Sequence, residues 1–124
     1  MDNSIRVANK QVIAPMRQAW INNLRDLVAD LLGKCAHYWA AGFDEREDSE
    51  YRHITELLYK LDLFLNPNEE DHVALIQNLR VMHLALSEGR DPEHDNVFWD
   101  THRTAVALVQ RILKREWDRV KSEI

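Results

Sequence analysis

Residues 63–72 read LFLNPNEEDH, a sequence that ends one predicted helix and starts the next. Proline removes a backbone donor and disfavours helix at the residue before it, so the preceding apolar run stops at Asn66. The same residues predict a helix start, with Asn66 as the N-cap, Pro67 as the first helical residue and Glu69 completing a capping box. The stretch therefore predicts two helices joined by a short turn.

The helix before this break follows an acidic connection, residues 44–50, in which Asp48 or Ser49 is expected to cap the first turn. Its apolar residues recur at steps of three and four, which is the spacing of one helix face. They are Ile54, Leu57, Leu58, Leu61, Phe64 and Leu65.

A long first helix is predicted from about residue 5 to residue 41, with Gly42 as its stop. Pro15 leaves two alternatives, since a proline either kinks a helix or lies in its first turn. The apolar face of this helix reads Met16, Trp20, Leu24, Leu27, Val28, Leu31, Cys35, Tyr38 and Trp39.

Two further helices are predicted after the break. The third ends at Gly89, and Asp91-Pro92-Glu93 repeats the cap-then-proline pattern to open the fourth. The apolar face of the third is Ile76, Leu79, Met82, His83 and Leu86. The broader face of the fourth is Val97, Phe98, Ala105, Leu108, Val109, Ile112, Leu113, Trp117 and Val120.

Short connections between helices favour antiparallel neighbours. The sequence therefore predicts an all-α fold, an antiparallel up-down-up-down four-helix bundle with long first and fourth helices, as one domain over residues 1–124. The outer helices should extend past the inner pair, with residues 1–14 as an overhanging or frayed segment.

The net charge of −5 is unevenly distributed, because residues 42–103 carry fifteen acidic and six basic side chains. In this topology the two chain termini meet at a basic end of the bundle. Its residues are Arg6, Lys10, Lys114, Arg115, Arg119 and Lys121. The 44–50 and 88–95 connections share the opposite, acidic end. The overall acidity argues against nucleic-acid binding, which needs dense lysine and arginine.

Cys35 is the one cysteine, so an intrachain disulfide is excluded and a reducing, cytoplasmic setting is expected. No stretch approaches the roughly 20 apolar residues of a membrane span, and the first residues lack a signal-peptide core. Membrane contact is expected, if at all, only at the basic end.

Two Glu-x-x-His pairs, Glu50/His53 and Glu69/His72, have the spacing that binds paired metals in ferritin-like bundles. They begin two antiparallel helices and so lie at opposite ends, which excludes a shared metal centre. We therefore expect no metal and no cofactor. His72 and His83 are expected to be boundary or buried, hydrogen-bonded histidines. The helical acids Asp26, Asp30, Glu56, Asp62 and Glu116 are expected to be solvated.

No catalytic constellation is evident, so an enzyme is not the leading expectation. Arg46 and His53 do have the R-x6-H spacing of HEPN-type ribonucleases, which are small helical bundles whose pair acts on RNA in a dimer cleft. The acidic residues around them would repel a phosphate backbone. A ribonuclease or toxin-like enzyme of this type is the first alternative.

The acidic end contains the candidates for partner binding. Trp20, Trp39 and Trp117 fit the apolar faces, whereas Trp99 lies just beside its face and could form an exposed contact with Phe43. The surrounding acids complete the predicted surface, and they are Glu45, Glu47, Asp48, Glu93 and Asp95.

Three segments resemble a group of small uncharacterised bacterial proteins. They are residues 17–25 (RQAWINNLR), residues 63–67 (LFLNP) followed by His72, and residues 112–121 (ILKREWDRVK). Members of that group often carry a membrane helix before the first segment, where this chain is polar. The resemblance implies the basic end as the place where such an anchor would attach, and it implies no activity or site residue.

These observations favour a non-enzymatic helical module that binds another protein, as an accessory or regulatory protein of bacterial or phage origin. Homodimerisation through the overhangs of the first and fourth helices is an additional expectation. The second alternative, after the ribonuclease, is an acidic decoy that inhibits a nucleic-acid-binding protein.

Overall fold

The computed structural model describes residue 7 and residues 9–41, 45–88 and 91–123, and within these ranges the chain forms helices and no strands. A π-helical turn, Asn9–Ile13, precedes four α-helices. These are α1 (Ala14–Ala40), α2 (Asp48–Phe64), α3 (Glu70–Leu86) and α4 (Pro92–Glu123). The all-α four-helix bundle with long first and last helices is confirmed.

The chain passes Pro15 by changing helix type. Pro15 lies in the first turn of α1, directly after the π-helical turn. Because proline has no N–H to donate to Gln11, the regular bonding pattern is interrupted there, and wider turns are common at such interruptions. At its other end α1 stops at Ala40, and Ala41 is extended. The predicted stops Gly42 and Gly89 lie outside the described residues.

The start of α4 is as predicted, because Pro92 is its first residue and Asp91 Oδ1 accepts the N–H of His94 at 2.8 Å. For α2 the predicted capping residue, Asp48 or Ser49, was wrong by one or two positions. Asp48 already belongs to the helix, and the preceding Glu47 makes no side-chain cap bond.

The capping box predicted for α3 was also wrong. Residues 66–69 form a turn, hereafter the 66–69 turn, in which Glu69 N–H donates to the carbonyl of Asn66 at 3.1 Å. The N–H of Asn66 that Glu69 was expected to bind donates instead to Nδ1 of His72, 2.9 Å away. Pro67 therefore lies in the turn, and the helix begins at Glu70.

One hydrophobic core runs through the bundle and contains residues from all four helices. Contacts are most extensive between α3 and α4, whereas α2 and α3 touch each other less. Leu24, Leu58 and Leu79 are buried as predicted, and Leu108 packs against the core. At the acidic end Trp39 stacks on Phe98 with ring centroids 5.0 Å apart.

The long helices α1 and α4 extend past the inner pair, and we call the extending ends the overhang. At 1.5 Å per residue α1 is about 40 Å long and α4 about 48 Å, whereas α2 and α3 are each about 26 Å. A second small cluster, Ala14, Ile21 and Val120, joins the two long helices there. Met16 and Trp117 were predicted to be core residues but are 66% and 39% exposed. They lie where α2 and α3 no longer cover the long helices. Lys121 lies over the Trp117 ring at 5.8 Å.

Among the helices that the structure describes, none combines the length and the hydropathy required to cross a bilayer.

Candidate functional site

The acidic end keeps most of its predicted groups in solvent. Glu45, Glu47, Asp48 and Glu93 are exposed. Asp95 differs, because its Oδ1 accepts a hydrogen bond from the indole Nε1 of the buried Trp39 at 2.8 Å. Asp95 therefore orients a core side chain.

Trp99 is half-buried and packs against the core. Its ring meets Phe98 edge-on at 4.9 Å and His102 at 5.5 Å. His102 is half-buried, and its Nε2 lies 3.2 Å from the carbonyl oxygen of Leu32. Phe43 lies outside the described residues. The tryptophan thus contributes to packing as well as to the surface of this end.

Two of the six residues predicted for the basic end, Arg115 and Arg119, form ion pairs with acids of α3, of the 66–69 turn and of α4 itself. Arg115 donates to both carboxylate oxygens of Asp71, with Nη2 2.9 Å from Oδ1. Arg119 Nη1 lies 2.6 Å from Glu116 Oε1 and 3.4 Å from Glu69 Oε1. Lys114 and Lys121 are exposed. Arg6 and the side chain of Lys10 lie outside the described part.

Glu116 was expected to be solvated, but it is buried and also lies 3.6 Å from Arg17 on α1. Burial alone would raise the pKa of its neighbour Asp71. The hydrogen bonds and charge of Arg115 outweigh burial and hold that pKa below its ordinary value. Asp71 is therefore ionised at neutral pH, and the ion pairs of this cluster join α1, α3 and α4.

His72 lies beside this cluster and is 3% exposed. Its ring stacks on Trp20 at a centroid distance of 5.7 Å, and Trp20 in turn stacks on Phe64 at 5.1 Å. Burial lowers the pKa of His72 below its usual value. The neutral imidazole accepts a hydrogen bond from Asn66 and connects the 66–69 turn to α3.

A cavity of about 390 Å³ opens above these rings, hereafter the overhang pocket. It combines apolar and charged side chains, and it is lined by Ile13, Met16, Arg17, Trp20, Phe64, Asn66, Glu69, His72, Glu116 and Arg119. Its acids and guanidinium groups pair with one another. The pocket can therefore offer hydrogen bonds to a polar group, but it presents no activated nucleophile.

Arg46 and His53, the pair considered for ribonuclease chemistry, have different surroundings. Arg46 donates to the carbonyl oxygens of Tyr38 and Trp39 and lies over the Tyr38 ring at 4.8 Å, so it caps the end of α1. His53 is exposed and lines a groove of about 570 Å³ between α1 and α2.

This α1–α2 groove also contains His37 and Glu50, whose Nε2 and Oε1 atoms are 4.0 Å apart. It is open at Gly33, where an added Cβ would meet no atom within 4 Å. Within the described ranges, no group of three or more potential ligands is arranged to hold a metal ion.

One apolar surface was not predicted from the sequence. Four large apolar side chains point outward from α2 and α3, with exposures of 67% for Tyr59, 89% for Leu63, 46% for Val81 and 67% for Leu84. We name these four residues the α2–α3 face. These residues lie outside the apolar stripes that predicted the core. A solvated helix face is usually polar, so large apolar residues at these positions were the sequence feature that could have revealed the surface.

Comparison of the chain with protein-family models, curated proteins and solved structures finds no match. The resemblance to small bacterial proteins therefore remains a prediction.

Proposed function

We propose that this chain is a non-enzymatic helical module that binds another protein through the α2–α3 face. The observation that carries the proposal is the outward position of Tyr59, Leu63 and Leu84, each at least 67% exposed. Large apolar side chains left exposed on two adjacent helices offer surface that a partner can cover.

Each of the two helices contributes two neighbouring side chains to the face. Tyr59 and Leu63 are four residues apart on α2, and Val81 and Leu84 are three apart on α3, so each pair shares one side of its helix. The ion pair between Asp62 and Arg80, at 2.8 Å, joins the helices beside them. A small cavity of about 170 Å³, lined in part by Tyr59, lies along the same seam. A partner can therefore contact both helices at once.

The surroundings of the ionisable groups also support a binding role. The acids and arginines at the overhang pocket form ion pairs with one another, and Arg46 caps the end of α1, so these groups have structural contacts. The exposed acids Glu45, Glu47, Asp48 and Glu93 can speed association with a basic partner through long-range attraction. Such a role fits an accessory or regulatory protein of bacterial or phage origin acting in the cytoplasm.

The test compares capture of proteins from a native lysate by three forms of the chain. The double variant Leu63→Lys/Leu84→Lys changes the face, and Val106→Lys changes a similarly apolar, 39% exposed position on α4. Burying a leucine contributes about 1.5–3 kcal/mol, so the double variant should bind at least about a hundredfold more weakly. The wild type and Val106→Lys should capture the same protein in equal amounts. No capture above background, or equal capture by the double variant, would contradict the proposal.

Self-association through the overhang is a second candidate interaction. Val12, Ile13 and Met16 are 53%, 39% and 66% exposed there, beside the joined ends of α1 and α4. We expect sedimentation equilibrium to show a concentration-dependent rise above the 14.6 kDa monomer mass. The variant Met16→Lys should suppress that rise, and a monomer at all concentrations would exclude this interaction.

A further inference from the structure

The hydrogen bond between Asn66 and His72 has only one workable direction. A backbone N–H can only donate, and that of Asn66 lies 2.9 Å from Nδ1 of His72. Nδ1 therefore carries a lone pair, and the single proton of the neutral ring lies on Nε2. The contact exists only while the imidazole is neutral.

The surroundings leave the ring little freedom to adapt. His72 is 3% exposed and stacked on Trp20, and its Nε2 is buried without a hydrogen-bond partner among the described residues. A second proton would place an N–H at Nδ1 against the N–H of Asn66. Rotating the ring by half a turn cannot relieve this conflict, because both nitrogens of an imidazolium carry protons.

We propose that protonation of His72 is a switch that releases the 66–69 turn from α3 and loosens the end of the bundle at which α2 meets α3. In the neutral state His72 holds the backbone of Asn66. In the protonated state that N–H turns to solvent while the four helices stay folded. The released turn includes Glu69, which contacts Arg119 while His72 is neutral. The switch acts whether or not the α2–α3 face binds a partner.

Charged groups from all four helices and from the 66–69 turn lie around the ring. They are Arg17 from α1, Asp62 from α2, Glu69 from the turn, Asp71 and Arg80 from α3, and Arg115, Glu116 and Arg119 from α4. The four acids and four bases pair with one another. Burial is then the largest influence, and it lowers the pKa of His72. The switch is therefore expected in mildly acidic solution.

The test measures hydrogen exchange of the Asn66 amide in the full chain between pH 7.5 and pH 5, corrected for the intrinsic exchange rate at each pH. Nitrogen-15 shifts of the imidazole report protonation of His72 in the same samples. As the ring titrates, the protection of Asn66 should fall at least tenfold. The amide of Leu79, in the middle of α3, should keep its protection, which distinguishes local release from unfolding.

Three variants test whether the loss of Asn66 protection in acid comes from His72. His72→Gln keeps an acceptor but cannot titrate, so its Asn66 amide should stay protected at both pH values. His72→Phe removes the acceptor, so protection should be low at both. His83→Gln removes the half-buried histidine of α3 and should respond like the wild type. The proposal is overturned if Asn66 stays protected once His72 is protonated, if Leu79 loses protection together with it, or if His72→Gln still responds to acid.

Discussion

Arg115 on α4 binds Asp71 at the start of α3 with two parallel hydrogen bonds, one from each terminal nitrogen of the guanidinium. Asp71 is 7% exposed, so its charge is compensated by Arg115 and scarcely by solvent. Two-point pairing of this kind fixes the relative position of two helices as well as balancing charge.

Replacing Arg115 by methionine should lower the free energy of unfolding by about 2–3 kcal/mol, because a buried carboxylate loses its charged hydrogen bonds. Urea denaturation measures this change. The matched control is Arg103→Met, since Arg103 pairs with Asp100 entirely at the surface, and exposed pairs contribute about 0–1 kcal/mol. Adding Asp71→Leu to Arg115→Met should restore much of the loss. Equal effects for the two arginines would contradict the buried role.

Replacing Asp95 should lower the free energy of unfolding more than replacing the other acidic residues of the acidic end. Asp95→Leu removes the acceptor of the Trp39 indole and should cost about 1–2 kcal/mol, together with a change in the near-ultraviolet circular dichroism of that ring. Asp95→Asn, which keeps an acceptor oxygen, should cost less. The control is Glu93→Ala, because Glu93 is exposed in the first turn of α4. An Asp95→Leu protein with native stability would show that the indole finds another acceptor.

Stability should decrease as the pH falls from 7.5 to 5.5. Burial holds the pKa of His72 and of His83 below the ordinary histidine value. The unfolded chain therefore binds more protons in this window, and acid favours unfolding. His94 acts in the opposite direction, since its bond to Asp91 raises its pKa, but it lies at the surface.

Urea midpoints at the two pH values test the sign of this dependence. The double variant His72→Gln/His83→Gln should show a smaller decrease than the wild type. Asp71 should contribute nothing to the change, because its lowered pKa leaves it ionised throughout this range. Greater stability at pH 5.5 would mean that the acids around His72 dominate over burial.

Cys35 should be unreactive in the folded protein. Its side chain is fully buried, and burial raises the pKa of the thiol to about 12. At pH 8 only about one thiol in ten thousand would be ionised, and the thiolate is the reactive form. A thiol-specific disulfide reagent should label Cys35 only after urea is added, at a rate set by unfolding. Labelling of the native protein as fast as an unfolded control would place Cys35 near the surface.

Helix breaks and apolar spacing were predictable because each depends on residues that are near in the chain. Pro92 and its cap at Asp91 mark the start of α4, and the stripes through Leu24, Leu58 and Leu79 identify the core. The capping box at Asn66 was wrong for a reason beyond that range. A buried histidine six residues later, held against Trp20 of another helix, bound the N–H on which the box depended.

The candidate site could not be predicted because it also depends on contacts between residues that are far apart in the chain. Four helices, most of their buried stripes and the uneven charge could be predicted from the residues alone, since periodicity and net charge require no knowledge of neighbours. The three-dimensional arrangement was needed to show that Glu116 is buried between arginines, that Arg115 pairs with Asp71 of α3, and that Leu63 and Leu84 remain exposed. Burial and ion pairing could not be predicted because they depend on which side chains of different helices lie at the same height along the bundle.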